Sequence, residues 1–337
     1  MIKELTNRIT DFSNLRDGYV LRDGFPFTSI TNPSNVYDAI IIKPYGEKSW
    51  SPQYPMFYHS ISDYVAFINK HRLEKAIIIN NSIDFLNECP TLKYLKIVPS
   101  DSSNNDFDFS PLYQHPEIIS ITCHTSYGFN FQKHSSVDYS QIRGLIQLNM
   151  HGAGHLNSNS AKMLKTLNVA ESKERNLYGL FNSDVLDSLQ IVNSSIVELN
   201  GIEQSSSLQC LELYYNKKLE DIAALENSKR TLKRLIIKNC SKIKDFSVLQ
   251  KLERLEYLSL YGNNVLQDLS FLNSLKNLKL FGFDLNVLNG DLKPCLQIEH
   301  VFCARSRKHY NFKNSDLPKS TSSDNIGLEG IEEWRRF

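Results

Sequence analysis

A leucine ladder recurs through this chain every 19 to 27 residues, from Leu73 to Cys303. Written L-x-x-L-x-L, its clearest rungs are Leu208/Leu211/Leu213, Leu232/Leu235/Ile237, Leu255/Leu258/Leu260 and Leu275/Leu278/Leu280. No local signal constrains the fold as strongly, because a period of this length means one supersecondary unit stacked many times. The first rung runs through Leu73, Leu92, Ile118, Leu145, Leu164, Leu186, Leu208, Leu232, Leu255, Leu275 and Ile298, about 11 repeats. The two longest gaps, after Leu92 and Ile118, place enlarged loops at 101–105 and 125–136.

Each L-x-x-L-x-L reads as a short strand. Side chains alternate across a strand, so the second and third rungs point into the core and the residues between and beside them point out. Three residues after the last rung stands Asn216, Cys240 or Asn263. An Asn buried there can bond the backbone where the chain leaves the strand, and stacked copies would form a ladder. An apolar residue and an Asp follow, as Leu219/Asp221, Ile243/Asp245 and Leu266/Asp268. The Asp is placed to cap a short helical turn that opens Ile222-Ala223, Phe246-Ser247 or Leu269-Ser270. Asp84-Phe85, Asp108-Phe109 and Asp138-Tyr139 echo the pattern in earlier repeats.

This combination resembles the leucine-rich repeats of the internalin and protein-phosphatase-regulator type, with 22-residue-like units. The resemblance covers 186–290 best, 73–150 less well and 151–185 poorly. It implies an α/β fold: a right-handed leucine-rich-repeat solenoid with a concave parallel sheet and short helical or irregular convex segments. It also implies that the repeats bind proteins rather than catalyse. The chain departs from an internalin-like surface role, because Met1-Ile2-Lys3-Glu4-Leu5 leads into polar residues with no secretion-signal core.

A repeat stack exposes an apolar end on each side and needs caps. Residues 60–70 begin with Ser and Asp and place apolar residues at 61, 64, 65 and 68, the spacing of a helix that would cover the edge before Leu73. Val36 to Ile42 reads as a strand, and Ile9 to Leu15 mimics the outer half of a repeat. Residues 1–72 are therefore expected to be a β-containing N-terminal cap or small subdomain, 73–304 the solenoid, and 305–337 a C-terminal cap and tail. Residues 314–325 read as a loop, and Leu328, Ile331, Trp334 and Phe337 as a final helical turn docked on the stack or as a tail offered to a partner.

Composition narrows the function. No run of about 18 apolar residues exists to cross a membrane. The six cysteines form no C-x-x-C pair, and several replace apolar rungs, so they read as buried free thiols in a reducing cytoplasm. Net charge is +1, but 60–204 hold 11 Lys/Arg against 15 Asp/Glu while 205–310 hold 17 against 11. That polarity fits an acidic partner near the C-terminal half or, as the preferred reading, a solvated convex surface.

Function is expected on the outward strand positions. From 120 to 190 these are mainly small and polar. Farther on they include Glu212, Tyr214, Arg234, Lys238, Tyr257, Tyr261, Lys279, Phe281 and Phe302. Aromatics beside Arg and Lys have the composition of interface hot spots, and such a patch calls for a partner or a covering segment. A protein partner is the expectation, with the chain acting as inhibitor, immunity-type protein, effector or adaptor. A nucleic-acid-binding face is the alternative, since bases stack on aromatics, and the balanced charge disfavours it. His124 and His151 fall on neighbouring strands ~4.8 Å apart, yet no third ligand joins them. His151-Gly152-Ala153-Gly154-His155 lacks the Lys-Ser/Thr of a phosphate loop. No catalytic residue, metal or cofactor is expected.

Overall fold

The computed structural model describes residues 20–24, 27–31, 37–42, 60–98, 107–124, 137–151 and 158–319. The loop inserts at 101–105 and 125–136, the segment at 9–15 and the tail beyond 319 lie outside the described residues. The chain divides into two compact units, 1–167 and 168–337.

In the first unit β1 (Val20–Gly24) and β2 (Phe27–Thr31) form an antiparallel hairpin, and β2 pairs antiparallel with β3 (Tyr37–Ile42). From there the pairing is parallel, through β4 (Lys75–Ile79), β5 (Tyr94–Val98), β6 (Ser120–His124) and β7 (Gln147–His151). Helix α1 (Ile61–His71) starts at a reciprocal cap: Asp63 N–H donates to Ser60 Oγ, and Ser60 N–H donates to Asp63 Oδ2 at 2.9 Å. Its buried stripe is Tyr64, Val65 and Ile68, and Arg72 ends it in the left-handed region. The helix was expected to cover the sheet edge. It is instead the crossover from β3 to β4, packed on β3 and on the turn Asp84–Glu88, because β3 pairs in parallel with β4 and needs a helix between. The β1–β2 hairpin occupies the edge. A second helix, α2 (Ser110–Gln114), serves the repeat between β5 and β6.

All five residues of β4 are buried, including the outward Lys75, Ile77 and Ile79. Tyr94, Val98, Ser120 and Gln147 on the outward side of the next strands are buried as well. The outward columns of the first unit are thus not the open surface that strand alternation alone suggests.

β8 (Thr166–Ala170) carries the chain into the second unit, where β9 (Ser188–Val192), β10 (Cys210–Tyr214), β11 (Arg234–Lys238) and β12 (Tyr257–Tyr261) pair in parallel without slippage. The short β13 (Val265–Leu266) follows. Then β14 (Leu280–Phe283) joins β12, β15 (Asn286–Val287) joins β13, and β16 (His300–Cys303) joins β14. Burial alternates along β9, β10 and β12, with Leu189/Ile191, Leu211/Leu213 and Leu258/Leu260 inward and fully covered. Each such side chain contributes about 1.5–3 kcal/mol of burial.

The chain leaves these strands through a repeated left-handed residue: Glu171, Asn193, Tyr215 and Asn239, then Gly262. For a non-glycine this costs about 1–2 kcal/mol. The amide it turns is not wasted: the N–H groups of 171, 193, 215 and 239 donate to the carbonyls of Val192, Tyr214, Lys238 and Tyr261, extending the pairing by one step. Next comes a buried polar ladder. Ser172 N–H donates to Ser194 Oγ, Ser194 N–H to Asn216 Oδ1, and Asn216 Nδ2 to Ile191 O at 2.9 Å. Cys240 holds the following position, and Asn264 Nδ2 donates to the carbonyls of Cys240 and Ile243. The expected Asn263 is exposed, because Gly262 makes that turn one residue longer.

The helical turns behave as their Asp residues imply. Asp221, Asp245, Asp268 and Asp291 each accept the N–H two residues on, at 2.7–3.0 Å. Asp108 and Asp138 do the same in the first unit. In the repeat after β4 the acceptor is Ser82, not Asp84.

One rung sits elsewhere than the ladder suggested. The strand of the 275–283 repeat uses Leu278, Phe281 and Phe283, not Leu275, Leu278 and Leu280. Tyr257 pairs with Leu280, and Ser259 with Gly282. Leu275 closes the turn Ser270–Ser274, as Leu252 closes Ser247–Lys251 one repeat earlier. This register buries Phe281 and Phe283 completely, stacked 4.8 Å apart. The alternative would turn Phe281 outward, forfeiting about 2–3 kcal/mol of burial.

Residues 305–319 finish the second unit. Tyr310 Oη bridges Leu285 O and Val287 N–H, and Asn311 Oδ1 accepts Leu292 N–H. On the far side of β16, Val301 N–H donates to Pro318 O and Cys303 N–H to Asn314 Oδ1. These contacts occupy groups that an edge strand would otherwise offer to another chain.

Candidate functional site

The outward face of the second unit carries three rows of side chains. The first is Ser188, Cys210, Arg234, Tyr257, Leu280 and His300, and the second Gln190, Glu212, Ile236, Ser259, Gly282 and Phe302. The third is Val192, Tyr214, Lys238 and Tyr261, continued by Asp284.

Glu212 is the hub of the first half. Gln190 Nε2 donates to its Oε2 at 3.0 Å, Tyr214 Oη to the same oxygen at 2.9 Å, and Arg234 Nε to Oε1 at 3.0 Å. The Glu212 side chain is only 16% exposed and that of Arg234 30%. A half-buried pair held by two further donors is fixed in place, so its own charge is largely satisfied within the chain. Burial, reinforced by Glu212, pushes the Tyr214 phenol far above its usual range.

The second half is apolar and aromatic. Tyr257, Tyr261 and Phe302 are half-buried, and Ile236 on β11 and Leu280 on β14 are buried. Tyr261 lies across the next strand: a Cβ on Gly282 would stand 2.7 Å from its hydroxyl oxygen. Glycine is what lets the ring lie flat there. Burial raises the phenols of both Tyr257 and Tyr261, which therefore stay neutral hydrogen-bonding groups.

Seven of the nine residues anticipated from sequence stand on this face: Glu212, Tyr214, Arg234, Lys238, Tyr257, Tyr261 and Phe302. Phe281 does not; the register of β14 sends it into the core. Lys279 does not face outward from the strand either. It precedes β14 at the rim and pairs with Glu256 at 2.7 Å. Sequence reasoning missed Tyr215, which is 37% exposed with Lys238 Nζ 5.8 Å from its ring centroid. It lies one residue past the strand, outside the columns that strand alternation defines. It also missed Arg305, Arg307 and Lys319, whose place depends on how the cap folds back.

In the first unit His124 and His151 are paired in register on β6 and β7. Among the described residues no group of three or more His, Cys, Asp or Glu could hold a metal ion. Burial pushes the thiols of Cys89, Cys123, Cys210 and Cys295 up to about 12 and Cys240 to about 11, far from a nucleophile's range. Among the described residues no helix is long and apolar enough to cross a membrane.

The repeat geometry is that of a leucine-rich-repeat solenoid. A family described as leucine-rich repeats (2 copies) matches residues 230–274. An internalin (inlF) from Listeria monocytogenes shares 17% identity over 80% of this chain and 78% of its own, with a TM-score of 0.53. The functional domain of InlJ from Listeria monocytogenes gives 14% identity over 67% of this chain and 52% of its own, with a TM-score of 0.42. A TLR13–ssRNA13 complex gives 15% identity over 78% of this chain and 46% of that chain, with a TM-score of 0.48. No curated protein matches the sequence. The chain has the α/β solenoid fold of leucine-rich-repeat proteins.

Proposed function

We propose that this chain is a non-enzymatic protein-binding module that recognises a protein partner on the outward strand face of its second unit. The observation that carries the reading is the group of half-buried aromatics, Tyr214, Tyr257, Tyr261 and Phe302, set beside Arg234 and Lys238 on the outward side of one sheet. Aromatic side chains supply large contact area at low entropic cost, and strands hold them in place. A fixed surface of this kind suits an inhibitor, immunity-type protein, effector or adaptor. The six free thiols favour a reducing, cytoplasmic setting.

The test is an affinity capture from lysate of the source organism, with wild type beside a Tyr257→Ala/Tyr261→Ala/Phe302→Ala variant of matched circular dichroism. A protein held by wild type and lost by the variant supports the reading. Equal retention by both removes this face from consideration.

A further inference from the structure

The cap residues place positive charge on two sides of the aromatic half of this face. At the strand ends, Arg305 and Arg307 both reach back to Asp284. Arg305 Nη2 is 3.8 Å from the Asp284 carboxylate, and Arg307 Nη2 donates to the Asp284 carbonyl at 3.4 Å. That carboxylate already accepts Gly262 N–H at 2.6 Å. One Asp therefore faces two guanidiniums. The Arg305 side chain remains 55% exposed, and Arg307 Nε is buried without a hydrogen-bond partner. Lys308 follows them, exposed. On the outer side of β16, Lys319 Nζ stands 5.9 Å from the Phe302 ring centroid. It donates to the carbonyl of Val301 and to Asn314 Oδ1, both neutral acceptors. The other cap carboxylate, Asp316, is turned to Lys313 N–H at 2.9 Å. Among the described residues, Arg305 and Arg307 thus share the one carboxylate of Asp284, next to Tyr261 on this face, and Lys319 stands by Phe302, whereas at Glu212 the charges are matched within the chain.

We propose that this end of the face takes an acidic segment of a protein partner. Its apolar side chains would rest on Tyr257, Tyr261 and Phe302, and its carboxylates would meet Arg305, Arg307, Lys308 and Lys319. The inference rests on the reading that the face binds a protein, and adds the chemistry of what it binds. Guanidiniums pair with carboxylates through two parallel hydrogen bonds, so two Arg sharing one carboxylate select acidic residues rather than merely tolerating them. Phosphate would satisfy the same cations, which makes a nucleic acid the competing occupant.

Short random peptides displayed on phage are selected on the full-length protein. Each winner is then measured against wild type, against Arg305→Gln/Arg307→Gln/Lys319→Gln and against Tyr257→Ala/Tyr261→Ala. Single-stranded oligothymidine is the parallel probe. Should the triple variant lose its circular dichroism spectrum, Arg305→Gln/Lys308→Gln replaces it, because both residues are exposed and neither donates a hydrogen bond to the β16 cap as Lys319 does. The expected winners carry excess Asp and Glu and weaken about tenfold on charge removal and again as salt rises. Winners without acidic bias that ignore charge removal but need Tyr257 and Tyr261 overturn this proposal and leave the binding face standing. Oligothymidine binding lost on charge removal, with no acidic peptide selected, overturns both. So do winners indifferent to the cations and the tyrosines alike.

Discussion

At the residue scale the chain separates side chains that look alike in sequence. Tyr257 and Phe281 are both aromatic and both near a rung, yet one is half-buried on the outward face and the other is sealed between Leu258 and Val301 in register. Removing Phe281 leaves a cavity, so Phe281→Ala is expected to cost about 3–5 kcal/mol of unfolding free energy. Tyr257→Ala removes a surface ring and is expected to cost under about 1 kcal/mol. Urea denaturation of the two variants checks the register of β14 directly. Comparable small losses would mean that Phe281 faces out, as the plain ladder implies. The ambiguity was real in sequence, since Leu275, Leu278, Leu280, Phe281 and Phe283 supply two overlapping sets of rungs. What decides between them is the volume of two phenylalanines and a glycine on which Tyr261 can lie, and neither is visible to a pattern of apolar letters.

At the scale of the element, the strand and its outer turn were largely legible. The alternation in Leu211/Leu213 and Leu258/Leu260 follows from period two, and the Asp before each turn follows from the need to satisfy a free amide. Hydrogen bonds hold these carboxyls below their usual range: from Ser247 N–H and then its hydroxyl at Asp245, and from the Ser270 hydroxyl and then its N–H at Asp268. A carboxyl depressed in the folded state contributes stability that is complete above the unfolded pKa of about 4 and fades as pH falls through the folded value. Asp268→Ala is therefore expected to lower stability by about 1 kcal/mol at neutral pH. Asp268→Asn, which keeps the acceptor oxygen, is expected to lose less, and both deficits should shrink in acid. Thermal melts across the pH range read this out; a deficit that grows on acidification would contradict the capping role. The left-handed residues were not legible. Asn193 and Asn239 are types that tolerate that conformation, but Glu171 and Tyr215 do so only because the stack fixes the position of their amides.

At the scale of the whole molecule, a stacked sheet is decided at its ends, where no further repeat arrives to cover the last one. The period announced the stack but said little about how it stops, because end contacts follow no repeat. The end of the stack relies on Asn314 and Pro318 against β16 and on Tyr310 and Asn311 against residues 285–292, side chains and carbonyls whose roles emerge only once the backbone has turned back on itself. The same turn brings Arg305, Arg307 and Lys319 beside the aromatic face, so cap and candidate site share their residues. This coupling makes the end testable. A chain stopped after Ala304 loses the partners of Val301 and Cys303 N–H and the hydroxyl that bridges Leu285 and Val287. It leaves β16 as a bare edge, which pairs readily with other chains. Relative to the full-length chain, this truncation is expected to melt earlier and to form larger species as concentration rises, measured by calorimetry and size-exclusion chromatography with light scattering. An unchanged melt and an unchanged mass would mean that the stack closes without residues 305–319, and that the cations they carry are placed by something other than the need to cap it.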